Sequence, residues 1–543
     1  MTPFAALLER LVFTPGRLAK LALLRDYFTH TPDPDRGFAL AAIAGDLSFT
    51  AAKPAMIRQI TTERVDETLF AWSYDYVGDL AETVALIWPE GPASGSEQRS
   101  APRLSDVVRV LRETPKAELP PILADWLSVC DASERLALLK LITGGLRVGA
   151  SARLAKIALG EMAGVPADDI EEVWHGLNAP YLPLFDWLSG RAAKPEAGGA
   201  PVFRPTMLAH ALEETDRNAL DWSAYRAEWK WDGIRVQLVA TSQGCRLYTR
   251  TAEDISHGFP EILAAMNFDG VLDGELLVIR EGVVAPFANL QQRLNRKAPG
   301  PKMLKEFPAG VRLYDILFDG AEDLRGLSFD LRRARLESWF QVHHPPGMDL
   351  SPLIPVDGAE ALAELRMGAR DAGIEGLMLK RGDSPYLAGR PKGPWWKWKR
   401  DPLTLDAVLM YAQRGHGRRS SIYSDYTFGV WRGEGEAAEL VPVGKAYSGI
   451  TDQELAFLDR WVRNHTLARF GPVREVEKTL VLEIAFDAAQ LSRRHKSGVA
   501  LRFPRISRIR TDKPAAEADR LEDVLARITN HAGALISRQA SVS

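Results

Sequence analysis

Apolar residues recur at helical spacing through the first third of the chain. In Phe4-Ala-Ala-Leu-Leu-Glu-Arg-Leu-Val-Phe13 and Arg135-Leu-Ala-Leu-Leu-Lys-Leu-Ile142 they return every three to four positions. That period predicts amphipathic helices and an all-α unit over residues 1–190. Ser105 is placed to cap a helix over residues 106–112, and the prolines at 120 and 121 break the pattern further on. Between residues 190 and 205 the chain reads GRAAKPEAGGAPVFRP. This composition predicts a linker over 191–204 with no packed face.

From 205 to 401 the period shortens. Strand-like runs occur at residues 235–239, 270–279 and 311–318, separated by glycine turns and helical segments such as 331–340. The mixture predicts an α+β unit with a mostly antiparallel sheet. After Pro402, strand candidates at 405–411, 426–431 and 479–486 flank a helix at 452–464. A compact five-strand barrel with one inserted helix fits that order over 402–535. The last four residues read as a frayed tail.

The chain has 543 residues, 46% hydrophobic and 26% charged. That balance belongs to a soluble multi-domain globular protein and excludes disordered and collagen-like classes. No stretch approaches the ~20 apolar residues of a membrane span, and Glu9 and Arg10 interrupt the one N-terminal run that could suggest a signal peptide. Two cysteines, Cys130 and Cys245, cannot form a disulfide framework or a four-thiolate zinc site, so a reducing cytoplasm is expected. Net charge is −3, but the basic residues are unevenly spread. Residues 490–513 hold eight Lys or Arg against one acid, residues 391–400 hold four against none, and the run Gln413-Arg-Gly-His-Gly-Arg-Arg419 is a third basic site. A single charge run is usually a solvated face. Three of them on a nearly neutral chain suit a duplex phosphate track.

The segment Glu228-Trp-Lys-Trp-Asp-Gly-Ile-Arg235 carries the sharpest chemistry. Taken alone it is a half-buried strand with a solvated lysine. Taken as chemistry it is a nucleophilic lysine leading into a glycine turn, with two tryptophans to desolvate the amine and lower its pKa. Further signals follow in order: Tyr248-Thr-Arg250, Leu272-Asp-Gly-Glu275, Tyr314-Asp-Ile-Leu-Phe, Ile374-Glu375-Gly-Leu-Met378-Leu-Lys380 and Trp395-Trp-Lys397-Trp-Lys399-Arg400. Singly, each reads as an ordinary strand or a surface carboxylate. Together they describe a nucleotide pocket, with carboxylates for a hard cation, lysines for phosphate and an aromatic to stack on a purine.

This order resembles the ATP-dependent DNA ligases of the covalent nucleotidyltransferase superfamily, from about residue 130 to 515. It is closest at Arg502-Phe-Pro-Arg505 and at Arg510-Thr-Asp512-Lys513, which is similar to the family's closing R-x-D-K motif. The resemblance implies a helical DNA-binding domain, a nucleotidyltransferase domain and an OB-fold. It implies that Lys230 receives AMP from ATP, that AMP passes to the 5′-phosphate of a nick, and that the 3′-hydroxyl then displaces it. It places Glu228, Arg235, Arg250, Glu275, Tyr314, Met378, Lys397, Lys399, Arg510 and Lys513 at ATP, and Glu275 and Glu375 at Mg²⁺ or Mn²⁺. It also implies DNA contacts from Gly145, Arg147 and Gly149, which look like the family's L-R-x-G signature, and from Arg418, Arg419, Arg493, Arg494, Lys496, Arg502 and Arg505.

The implied partners are ATP and nicked duplex DNA, for a monomer in a bacterial cytoplasm near the nucleoid. The last domain is expected to close on the nucleotide by pivoting at Asp401–Pro402. RNA ligases and capping enzymes share the lysine motif; the long helical region and Arg502-Phe-Pro-Arg505 favour a DNA ligase. NAD-dependent ligases usually carry a four-cysteine zinc module, which two cysteines cannot build. A non-catalytic DNA-binding module with a dead nucleotide site is the reading from another class, and the intact lysine, carboxylates and lysine pair argue against it.

Overall fold

A computed structural model describes residues 1–526, apart from 90–99, 145, 197–198, 295, 297, 357, 369–373, 416–421, 434 and 493–494. Among the described residues, twelve α-helices lie between Thr2 and Leu188. Their apolar faces meet in one cluster that includes Phe4, Phe28, Leu40, Leu138 and Phe185. Local chemistry fixes several helix starts: Asp131 and Glu134 form a reciprocal capping box on Ala132–Thr143, and Asp79 caps Leu80–Ile87. Ser105 does not cap. The helix there spans Leu104–Glu113 and starts from Arg103, while the Ser105 amide donates to Asp35 Oδ1 at 2.9 Å. A carboxylate from a distant helix thus replaces the local hydroxyl.

The expected linker has a packed end. The described residues of 191–204 form no regular element, but Val202 and Phe203 are buried. The Phe203 ring packs edge-on between His175 and Tyr248. One aromatic in a Gly/Ala/Pro context was enough to pin its end. Beside it, Glu172 of the helical region pairs with Arg204 (3.1 Å) and Arg325 (2.7 Å), whose guanidinium groups both lie over the Phe318 ring.

The central region contains two sheets. Its main strands are β1 (Tyr225–Trp231), β2 (Ile234–Thr241), β3 (Gly244–Thr249), β4 (Gly270–Arg280), β5 (Ala309–Asp319), β6 (Ile374–Arg381) and β7 (Trp395–Lys399). One sheet orders β7-β6-β1, the other β3-β2-β4-β5, and these neighbours are all antiparallel. A cluster of Met207, Val239, Val271, Leu317, Tyr386 and Trp395 joins them. The chain passes from one sheet to the other through Asp232–Gly233, immediately after Lys230. Gly233 is required there. A Cβ on it would lie 2.5 Å from the Leu276 carbonyl and 2.8 Å from Glu275 Cγ.

Beyond Pro402 come β8 (Leu403–Arg414), β9 (Tyr423–Arg432), β10 (Glu439–Ala446), β11 (Val481–Phe486) and β12 (Arg505–Arg510), with a helix at Asp452–Asn464. The pairing runs β10-β9-β8-β11-β12, and a hairpin of Thr466–Phe470 and Val473–Val476 also joins β8. Among the described residues β10 and β12 share no ladder, so the sheet curves as a half-barrel instead of closing as the compact barrel expected. Leu458 and Val462 of the helix enter its core with Tyr426, Phe428 and Ile484.

Candidate active site

Three strands set the site in register. Lys230 on β1 lies opposite Gly376 on β6, which lies opposite Lys399 on β7; on the next inward-facing rung Glu228 pairs with Met378, and Met378 with Lys397. Side chains two apart on a strand share a face, so these residues form one patch on a single surface. Gly376 leaves the middle of the first rung clear. Its φ of +141° and its close approach to the Trp398 carbonyl leave no room for a side chain.

Two bulges re-aim side chains that the ladder alone would turn away. Ile374 pairs with Trp231 and Gly376 with Lys230, so Glu375 is an extra residue on β6. Asp273 pairs with Asp315 and Gly274 with Leu313, so Tyr314 is an extra residue on β5. A bulged residue escapes strict alternation. Glu375 uses that freedom to place Oε2 2.6 Å from Lys230 Nζ and 3.4 Å from Lys399 Nζ.

The electrostatics follow from this crowding. Burial pulls the Lys230 ammonium down, but the carboxylates of Glu375, Glu275 and Asp232 outweigh it and hold its pKa above the ordinary lysine value. The lowering expected from the flanking tryptophans is therefore reversed by these carboxylates. Glu375 is held down to about 2: burial pushes it up, and Lys230, Lys399 and Arg502 more than reverse that. Burial lifts Glu275 to about 7, with Lys230 and Arg235 pulling against it and Glu375 and Asp232 pushing with it. Lys397 is lowered, first by burial and then by Arg390, Lys399, Lys230 and Arg250. Five cations thus converge where a polyanion is the natural counter-charge. Arg390 is the one the sequence reading missed. It lies in a Gly/Pro-rich loop with no strand pattern, and only the fold brings it to Lys397.

The opposite end of the patch is buried. Glu228 pairs with Lys380 at 2.6 Å and with Arg333 at 3.4 Å. The Lys380 ammonium also lies 4.5 Å from the Tyr314 ring centroid. Arg235 is locked to Asp273 (2.6 Å) and to the Tyr386 hydroxyl (2.8 Å), and it donates to the Met207 carbonyl, so it ties β4 to the loop segments at Met207 and Tyr386. Arg250 is exposed just past β3, and Met378 is half-buried between Glu228 and Lys397.

The C-terminal β region reaches the pocket through Arg502. Its Nη1 binds both Asp232 oxygens, Nη2 lies 3.9 Å from Glu375, and the guanidinium sits over the Phe287 ring at 4.4 Å. Asp487 faces Lys399 at 3.8 Å and is anchored by Arg505 at 2.9 Å. Arg510 and Lys513 are not brought to the nucleotide residues. Both bind Asp406 on β8, at 3.2 and 2.7 Å, and Arg510 also binds Asp512. Asp401, at the expected pivot, pairs with Arg366 at 3.0 Å.

Of the expected DNA contacts, Arg147 is exposed with φ +46°, and the Gly149 carbonyl accepts from Lys20. Lys496 is exposed, within 4.0 Å of Glu439. Arg502 turns into the pocket, and Arg505 is held by Asp487. Gly145, Arg418, Arg419, Arg493 and Arg494 lie outside the described residues.

A lysine paired with a carboxylate, with cations on one side and a closed aromatic end on the other, suits covalent nucleotidyl transfer. Family models agree and narrow the class. One described as "ATP dependent DNA ligase domain" matches residues 206–399, and one described as "ATP dependent DNA ligase C terminal region" matches 419–513. A "Probable DNA ligase" of Koribacter versatilis is 35% identical, over 74% of this chain and 73% of that protein. "DNA ligase 1" of Korarchaeum cryptofilum is 30% identical over 96% of each. The solved structure titled "Pmar-Lig_PreS3" shares the fold at a TM-score of 0.59 and 16% identity, covering 93% of this chain and 99% of that one. The chain belongs to the ATP-dependent DNA ligase family. It is an enzyme that seals breaks between a 5′-phosphate and a 3′-hydroxyl in duplex DNA through enzyme–lysyl-AMP and DNA-adenylate intermediates.

Proposed function

We propose that Lys230 carries the AMP, and that the patch around it divides into a phosphate end and a base end. The observation that carries this reading is the double rung: Lys230–Gly376–Lys399 beside Glu228–Met378–Lys397. Lys397, Lys399, Arg390 and Arg250 receive the triphosphate, and Tyr314 stacks on adenine over Glu228 and Met378. Attack needs the neutral amine, so the Lys230–Glu375 pair must open and the ammonium must release a proton to water first. Nζ then bonds to the α-phosphorus as the bond to pyrophosphate breaks in line, a second Nζ proton passes to solvent, and the cations stabilise the departing charge.

Glu275 and Glu375 suit a divalent cation. Both act on Lys230, and Glu375 adds to the cost of ionising Glu275. Among the described residues no group of three or more His, Cys, Asp or Glu could hold a metal unaided. That partial donor set fits Mg²⁺, or Mn²⁺ in its place, which shares its coordination with phosphates and water. When bound, such an ion neutralises charge at the transferring phosphate.

The DNA path is assigned to three units: residues 1–190, 205–401, and 402–535, the last read as an OB-fold. Arg147 and Gly149 approach phosphates from the helical unit, and Lys496 and Arg505 from the last. A monomer encircles the duplex in this reading. Among the described residues no helix is long and apolar enough to cross a membrane.

The test is transfer. Protein labelled with [α-³²P]ATP and Mg²⁺, freed of nucleotide, should lose its label to a nicked duplex bearing a 5′-phosphate and yield a joined strand. Label that stays on the protein, or moves only to a nicked RNA duplex, would overturn the assignment.

A further inference from the structure

Lys380 is 1% exposed and has no part in the phosphate chemistry assigned above. Its ammonium donates to Glu228 at 2.6 Å and to the Tyr314 carbonyl at 3.3 Å. Three rings surround it: Tyr314 at 4.5 Å, Trp395 at 4.8 Å and Phe329 at 4.9 Å. Tyr314 is the extra residue of a bulge, so the β ladder does not fix where its ring points. Glu228 is 2% exposed, and its other cation, Arg333, is shared with Glu337 and the Ser351 carbonyl. Both groups at the base end of the pocket are thus tied to one ammonium.

We propose that Lys380 is the positioning residue for base selection: by holding the Glu228 carboxylate and the inner side of the Tyr314 ring together, it sets the slot that admits adenine over guanine. This rests on the reading of the pocket as an ATP site. A buried ion pair alone is weak support for a functional role, because two well-packed neutral groups often serve stability equally well. The rings change the balance. A cation against an aromatic face both orients the ring and strengthens with desolvation, and this ring is the one available for stacking.

The experiment measures self-adenylation and self-guanylation, with ATP and GTP as probes, over a range of concentrations. The proteins are the full chain, Lys380→Met and Lys380→Gln. Lys380→Met leaves the buried Glu228 carboxylate without this donor and can unfold, whereas the Lys380→Gln amide still donates to it but places no charge among the rings. In the folded variants the preference for ATP over GTP in kcat/KM should fall about tenfold or more, mainly through KM for ATP, with kcat at saturation within about threefold. An unchanged ATP/GTP preference in the folded Lys380→Gln variant would overturn the role of Lys380. Absence of any adduct on the wild-type chain would instead overturn the reading of the ATP site.

Discussion

Arg502 and Asp232 lie 270 positions apart, yet Arg502 Nη1 is 2.7 and 2.5 Å from the two carboxylate oxygens of Asp232. Asp232 belongs to the lysine motif and Arg502 to the C-terminal β region. The pair therefore fixes one particular closure of that region over the pocket, with Arg502 and Asp487 facing inward. Arg510 and Lys513 are engaged by Asp406 in the same arrangement. One pocket can face only one of these two cation sets at a time, so different chemical steps should depend on different sets.

Arg502→Ala is expected to slow sealing of a nick that already carries AMP by about tenfold or more, since it strips a partly buried carboxylate of its partner. Self-adenylation should change by less than about threefold. Lys513→Ala should do the reverse. Single-turnover assays of each step separate the two, and equal losses on both steps for either variant would argue against step-specific closure.

Gly233→Ala should damage catalysis more than stability. The added Cβ would push on the Leu276 carbonyl and on Glu275 Cγ, forcing apart the two sheets beside Lys230. Overpacking of this kind costs about 1–3 kcal/mol, while a displacement of about 1 Å at a reacting group can cost about a hundredfold in rate. Thermal unfolding alongside the self-adenylation rate gives both numbers.

Glu275, lifted to about 7, supplies a pH signature. Below that value its carboxyl is neutral, and above it ionised. At limiting ATP, where the rate reports groups of the free enzyme, self-adenylation should fall as pH drops through about 7. It should keep rising on the alkaline side, because Lys230 is held above its ordinary value. The stability sign is opposite. The folded protein favours the neutral carboxyl, so stability is lost as pH rises from the unfolded value of 4.5 through about 7. Glu275→Gln should flatten the melting temperature across that window and remove the inflection near 7 from the residual rate.

A chain shortened to begin at Pro201 should still form lysyl-AMP, because the residues assigned to that step lie beyond it. It loses Glu172, the partner of Arg204 and Arg325, and the His175 face of Phe203. Nick affinity should drop. The dependence of log Kd on log salt should become shallower by about 0.9 for each phosphate no longer neutralised. Unchanged affinity and slope would mean the first 190 residues do not hold DNA.

Much of the site could be read from the sequence because it rests on local pattern. Alternation in Glu228–Trp231 and Trp395–Lys399 sets Lys230, Lys397 and Lys399 on one face, and the helical period of the first region survives in the fold. What escaped was set by distant partners. Ser105 yields its capping role to Asp35, Phe203 turns a linker into a contact, and Arg390 joins the cations from an irregular loop. The charge state of Lys230 was misjudged for a related reason. Its tryptophan neighbours suggest desolvation, but the β6 bulge that delivers Glu375 leaves no mark in the periodicity. Arg510 and Lys513 were expected at the nucleotide, whereas their position depends on how the last region closes.

Lys230 is the point on which every other assignment turns. Intact-mass measurement after incubation with ATP and Mg²⁺, followed by peptide mapping, should find one AMP per chain, attached to Lys230. The adduct should be absent from a folded Lys230→Ala variant. An AMP adduct that persists in that variant, or that maps to Lys397, Lys399 or any other lysine of the wild-type chain, would remove Lys230 as the nucleophile.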